Sequence, residues 1–141
     1  MSESFRIVRR VEFGDTDMAG IVHFSNFFRY MEVAETAFLR SHGYSVSMDY
    51  EGVRVGFPRV AVSCNFFKPA RFEDELEIQV VITKLGRKSL SYRFDFMCGG
   101  ELIARGEMTS VFCRKTPTME IESLEIPDAL REKLVTSLLK I

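Results

Sequence analysis

The sequence predicts an α+β fold in which one long apolar helix is wrapped by an antiparallel sheet of about five strands. Three observations predict it. One segment near the N-terminus repeats apolar residues at helical spacing, four later segments alternate apolar and polar residues, and no linker, low-complexity tract or fixed-period repeat divides the chain. A helix with one apolar stripe and a sheet with one apolar face can bury each other. The 141 residues, 46% hydrophobic and 28% charged, are expected to form a single domain, 1–141. At that length a folded chain buries roughly two-thirds of the surface its unfolded form exposes, so no disulfide or metal is needed to hold a core.

The first strand is expected where Phe5, Ile7, Val11 and Phe13 take alternate positions, with Arg9 interrupting the inner face. A loop from Gly14 to about Phe24 carries Asp15, Asp17 and Gly20 and leads to Ser25, the expected N-cap of the helix. Phe27, Met31, Ala34 and Phe38 form that helix's stripe, widened by Tyr30 and Ala37, and Gly43 is its natural stop. An irregular stretch through Gly52 and Gly56 follows. Strands are then expected at Val60, Val62, Cys64 and Phe66; at Leu76, Ile78, Val80 and Ile82; at Leu90, Tyr92, Phe94 and Phe96; and from Glu101 to Phe112 after a Gly99-Gly100 turn. A last amphipathic helix begins near Pro127 and runs through Leu130, Leu134 and Leu138.

Charge and cysteine content narrow the function. Nineteen basic against twenty acidic side chains leave a formal charge of −1, too little field to collect nucleic acid or an anionic membrane. Cys64, Cys98 and Cys113 are odd in number and widely spaced, with no C-x-x-C pair, so free thiols in a reducing cytosol are expected. Cys64, inward among Val60, Val62 and Phe66, is expected to be an inert buried hydrophobe. Arg9 and Arg10 arrive before any apolar signal region develops, and the longest uncharged stretch, between Asp17 and Arg29, is far short of the about 20 residues that span a bilayer. A cytoplasmic protein is expected.

Chemistry-bearing residues concentrate between Glu12 and Tyr30, where a strand joins a helix N-terminus. Backbone N–H groups of a first helical turn lack intrahelical partners and sit at the positive dipole end, where a substrate oxygen gaining negative charge is stabilised. Asp17 beside them can serve as nucleophile or general base, or can be an Asx turn or helix cap. Asp15 is expected to fix the loop. His23 can be a base, a ligand or a scaffold residue; the other histidine, His42, lies about 28 Å away along the helix at a rise of 1.5 Å per residue, so the two cannot share a metal within one chain. Gly86-Arg87-Lys88-Ser89 occupies a turn between strands, either as a solvated tip or as a phosphate contact through Arg87 and Lys88. Arg114 and Lys115 are a weaker basic patch.

These residues resemble the hotdog-fold acyl-CoA thioesterases of the 4-hydroxybenzoyl-CoA thioesterase family over nearly the whole chain. The likeness rests on Phe13-Gly-Asp-Thr-Asp-Met-Ala-Gly-Ile-Val followed by Asn26 and an aromatic helix, on Val62-Ser-Cys-Asn-Phe-Phe with Glu73-Asp-Glu-Leu, and on Arg87-Lys-Ser. The resemblance implies a hotdog fold and Asp17 as the catalytic carboxylate, acting through a mixed anhydride or as base for water. It implies a carbonyl polarised by backbone N–H around His23 and Phe24. It also makes Arg87, Lys88 and Ser89 candidate contacts to CoA, with no metal or redox cofactor. It further implies a homodimer or homotetramer with its active sites at the subunit interface. Two positions depart from the family: Glu35 stands where many bacterial relatives carry arginine, and Phe24 where the tolerated alternatives elsewhere are tyrosine or histidine. Both bear on the acyl pocket. The expected activity is hydrolysis of a short-chain or aromatic acyl-CoA. The competing readings are a non-catalytic acyl-CoA or acyl-carrier binding module, which needs no carboxylate, and a hotdog dehydratase, which needs a histidine with an aspartate.

Overall fold

The computed structural model describes residues 5–118 and 120–139. Its larger sheet is antiparallel and five-stranded, in the order β1 (Phe5–Arg10), β5 (Glu75–Leu85), β6 (Ser89–Cys98), β7 (Glu101–Val111) and β4 (Arg59–Phe66). The alternation seen in the sequence becomes burial: Leu76, Ile78, Val80 and Ile82 of β5, and Leu90, Tyr92, Phe94 and Phe96 of β6, are all fully buried. Helix α1 (Ser25–Ser41) lies against this face, meeting β1, β4, β5 and β7. It buries Phe27, Tyr30, Met31, Ala34, Phe38 and Leu39 there, together with one charged residue, Glu35. Gly43 ends it with φ +82°, and the Tyr44 N–H returns to the Leu39 carbonyl at 2.9 Å.

Several local expectations are corrected. β1 stops at Arg10; Val11 is still buried, but Phe13 sits in a short 3-10 turn with its ring exposed against Phe72. Arg9 interrupts the inner face as expected and lies over the Tyr30 ring, 5.7 Å from its centroid. Ser25 does not cap α1: Phe24 holds the cap position in helical conformation, and Ser25 is the first helical residue. The stretch read as irregular contains a hairpin, β2 (Ser47–Tyr50) with β3 (Val53–Gly56). It joins β8 (Cys113–Lys115) and β9 (Ile121–Ser123) in a second sheet, ordered β2-β3-β8-β9. The last helix, α2 (Asp128–Val135), buries Leu130 and Leu134 but ends before Leu138, which reaches β5 through a parallel bridge to Ile82.

β4 departs furthest. Val62, Cys64 and Phe66 pair with Met108, Gly106 and Ala104 of β7 and so share the inner face, yet Val62 and Phe66 stay 46% and 47% exposed. The reason is position: β4 is the sheet edge, with β7 on one side only. Cys64 is half-buried, and burial pushes its thiol up to about 11, which keeps it protonated and unreactive. Among the described residues, no helix is long and apolar enough to cross a membrane.

Candidate active site

Asp15 organises the loop between β1 and α1. Its carboxylate accepts from the Glu12 N–H at 2.9 Å and the Tyr30 hydroxyl at 2.8 Å; its carbonyl accepts from the His23 N–H at 2.9 Å and Asn26 Nδ2 at 2.8 Å. One residue thus ties the end of β1, the loop and the first two turns of α1 together, as its expected fixing role requires. Burial and the neighbouring Asp15 carboxylate both raise the Tyr30 pKa, so the phenol stays neutral and remains a donor. Tyr30→Phe is expected to cost about 1–2 kcal/mol of stability in urea denaturation, because Asp15 Oδ2 loses one of its two donors and keeps only the Glu12 N–H. A stability unchanged from wild type would show that the loop does not depend on this bond.

Asp17 stands one turn further on. Its backbone N–H donates to the Ile21 carbonyl at 2.9 Å, and its Oδ1 accepts from the Ala19 N–H at 2.9 Å, an Asx turn closed by Gly20 at φ +80°. The turn reading and the chemical reading are therefore compatible: one carboxylate oxygen orients the side chain, and Oδ2 has no partner among the described residues. Asp17 lines a cleft of about 440 Å³ with Phe24, Phe27, Phe66, Lys68 and Ala70. The cleft is otherwise apolar, apart from Lys68, whose Nζ lies 2.6 Å from Glu101 Oε2.

The two amides at the helix start are not equivalent. The His23 N–H is held by the Asp15 carbonyl, whereas the Phe24 N–H has no acceptor among the described residues. The His23 ring turns to α1, with Nδ1 2.8 Å from Ser25 Oγ, and stacks on Phe24 with centroids 4.6 Å apart. It does not line the cleft.

Arg87, Lys88 and Ser89 lie elsewhere. Their turn is braced, with Arg131 of α2 donating to the Gly86 carbonyl at 2.9 Å and the Ile126 N–H to the Arg87 carbonyl at 2.8 Å. Arg87 forms an exposed ion pair with Glu125, and Lys88 Nζ is 3.4 Å from Ser123 Oγ. The turn follows the far end of β5, whereas the Asp17 loop meets the chain just before β5 through the Val22 bond to Ala70. At about 3.3 Å per residue, the length of β5 separates the two by roughly 30 Å. The fold brings Asp17 and Phe24 together and leaves the basic turn at the opposite end of β5.

Sequence reasoning missed Tyr30 and Lys68 as parts of the site. Tyr30 read as a broadening of the apolar stripe, which it also is; its hydroxyl partner lies fifteen residues upstream. Lys68 carried no local signal.

An acid and a residue with an unpartnered helix-terminal N–H line one largely apolar cleft, and the fold around it is that of an established enzyme class. The chain belongs to the thioesterase-like superfamily, whose family model matches residues 11–134. It is 30% identical over 135 residues to the 4-hydroxybenzoyl-CoA thioesterase of Pseudomonas sp. (strain CBS-3), covering 90% of this chain and 94% of that one. Among solved structures it is similar to a gentisyl-coenzyme A thioesterase, with 30% identity and a TM-score of 0.78 over 90% of this chain and 99% of the other. It is also similar to an asparagine-for-aspartate variant of 4-hydroxybenzoyl-CoA thioesterase complexed with 4-hydroxybenzoyl-CoA, with 26% identity and a TM-score of 0.82 over 94% and 99%.

Proposed function

We propose that this thioester hydrolase acts on a short-chain or aromatic acyl-CoA, releasing the free acid and CoA. The observation that carries the reading is the shared cleft: the Asp17 carboxylate and the residue bearing the unpartnered Phe24 N–H line the same apolar space. The thioester carbonyl oxygen accepts from the Phe24 N–H, at the positive end of α1, so charge developing on that oxygen is stabilised. Asp17 then acts in one of two ways. As nucleophile, its free oxygen bonds to the carbonyl carbon, the C–S bond breaks, CoA leaves as thiolate, and water hydrolyses the mixed anhydride. As base, it takes a proton from water, which attacks instead.

In this reading α1 is the central helix of a hotdog fold, the whole chain is one domain, and Arg87, Lys88 and Ser89 contact CoA. The separation of the basic turn from Asp17 is what an assembly would resolve. If the free edge of β4 pairs with the same edge of a second copy about a two-fold axis, the partner's sheet runs inverted. The partner's basic turn then lies at the end that carries Asp17. The reading is then a homodimer, or two such dimers joined as a homotetramer, with active sites between subunits.

The test is thiol release from a panel running from acetyl- to decanoyl-CoA plus benzoyl-, 4-hydroxybenzoyl- and phenylacetyl-CoA. Turnover of at least one short-chain or aromatic member is expected. No turnover by a folded protein that still binds CoA esters would replace this reading with the binding module, and hydration of an enoyl-CoA would replace it with the dehydratase.

A further inference from the structure

The second sheet turns one face to the core, where Val55 and Phe112 are buried, and leaves the other open. On the open face the register lines up two rows across the strands. Ser47 pairs with Gly56, Gly56 with Cys113 and Cys113 with Ser123, a row of small residues running from β2 to β9. Two residues away along each strand, Asp49 pairs with Arg54 and Lys115 with Ile121. Val55 pairs with Arg114, so Arg54 and Lys115, each one residue from that pair, stand side by side on the opposite, open face. A row of mostly long side chains about 6.6 Å from a row of small ones makes a trough. It is a cavity of about 270 Å³ with Cys113 buried at its floor, Arg54 and Lys115 beside it, and Pro58 and Ile121 in its apolar lining.

The row of small residues leads to the basic turn. It reaches Ser123 on β9, whose Oγ lies 3.4 Å from Lys88 Nζ. Three interstrand steps of about 4.8 Å put Ser47 roughly 14 Å from Ser123. From the turn into the trough the cations come in a fixed order: Lys88 at the β9 edge, Lys115 on β8, then Arg54 on β3. Arg54 is held through its N–H edge by Ser47 Oγ at 3.1 Å and Asp49 Oδ1 at 3.5 Å, which leaves the faces of its guanidinium plane free to stack on a ring. Lys115 forms no ion pair among the described residues, and among them no carboxylate lines the cavity. Its volume is at the small end for ligand pockets, about 300 Å³, so it suits a single ring system with its sugar rather than a whole cofactor.

We propose that this trough binds the 3′-phosphoadenosine end of CoA. The order of groups in that ligand is the order of the cations: 5′-diphosphate, ribose with its 3′-phosphate, adenine. Arg87 and Lys88 take the diphosphate, Lys115 takes the 3′-phosphate, and adenine lies over Gly56 with the Arg54 guanidinium stacked on its ring. The exposed Arg54–Asp49 and Arg87–Glu125 pairs are of the weak, solvent-screened kind that an incoming phosphate displaces. The inference rests on the acyl-CoA reading and on Arg87, Lys88 and Ser89 as CoA contacts, and it adds the carrier. CoA itself is selected over a pantetheine arm attached to a protein, which has no adenosine to fill the trough.

Calorimetry on the full-length wild-type protein with CoA and with dephospho-CoA, which lacks only the 3′-phosphate, tests this without requiring turnover. CoA is expected to bind about tenfold more tightly, the scale of one charge-assisted contact. Lys115→Ala is expected to erase that difference. Arg54→Ala is expected to weaken both ligands by about tenfold and to keep the difference between them. Both side chains are exposed, and thermal unfolding recorded beside the titrations shows that each variant is folded. Equal affinity of the wild-type protein for the two ligands overturns the inference without any variant. So does a difference that survives in Lys115→Ala, which would assign the 3′-phosphate to the basic turn alone, or an Arg54→Ala protein that binds both ligands as wild type does. Failure of the underlying reading looks different: wild-type protein would release no thiol from any panel member.

Discussion

Asp17→Asn is expected to lower kcat on the best acyl-CoA by roughly 10²–10⁴-fold, the range lost when a positioned acid–base group is removed, with KM changed far less. The asparagine keeps the size of the side chain and its Oδ1 acceptor for the Ala19 N–H, so the loop geometry survives. What is lost is the negative charge on a carboxylate whose second oxygen the Asx turn leaves without a partner among the described residues. Asp17→Ala removes the Asx turn as well and is expected to be no more active than the asparagine variant, while losing some stability. The measurement is steady-state thiol release by both variants, with their thermal unfolding recorded alongside. An Asp17→Asn protein with wild-type kcat would remove Asp17 from the chemistry and leave it only its turn.

Arg59→Ala is expected to destabilise the protein by about 3 kcal/mol at neutral pH, the low end for breaking a buried pair because Arg59 itself is partly exposed. Glu35 is fully buried on α1, and Arg59 is the cation that compensates it. Burial raises the Glu35 pKa, and Arg59 opposes that rise. A carboxyl whose pKa is higher folded than unfolded binds its proton more tightly in the native state. Its favourable contribution is full below the unfolded pKa and is lost as pH rises through the folded one. Without Arg59 the folded value rises further. The variant's deficit is therefore expected to grow from acid towards neutral pH and to shrink as Glu35 protonates. Urea unfolding of both proteins across that range measures it, and the double variant Arg59→Ala/Glu35→Leu is expected to recover much of the loss. A deficit independent of pH would mean that the lost stability came from packing of the arginine stem rather than from the buried charge.

The parts of this structure legible in the sequence are those where one local signal suffices. β5 and β6 alternate without interruption, so their buried faces follow from period two alone, and α1 follows from its stripe and from Gly43. The Asp17 turn is visible as a motif, and its Asx-turn reading describes the observed geometry. What was not legible depends on partners distant in the chain. β2, β3, β8 and β9 span three or four residues each and form only because they find one another. The exposure of Val62 and Phe66 follows from the rank of β4 in the sheet, which their alternation does not encode. Glu35 occupies the next four-residue step after Phe27 and Met31, but a carboxylate there reads as an interruption until Arg59, 24 residues away, is seen beside it. The two helix-start amides look alike in sequence; only the Asp15 carbonyl separates the occupied His23 N–H from the unpartnered Phe24 N–H.

The uncovered edge of β4 also matters before the molecule ever meets a substrate. Val60 and Val62 stand exposed on a strand with one unpaired side, and neither a proline nor a lysine interrupts Arg59–Phe66. Natural edge strands usually carry such interruptions, because a row of free N–H and C=O groups flanked by β-branched residues is a template for any extended chain. During synthesis this segment emerges before β5, β6 and β7, the last of which is its only neighbour in the sheet, and it has to wait for them. Misassembly and aggregation are then in competition with correct pairing. The strand that makes a solitary chain prone to stick is the same edge on which the proposed pairing of two copies rests.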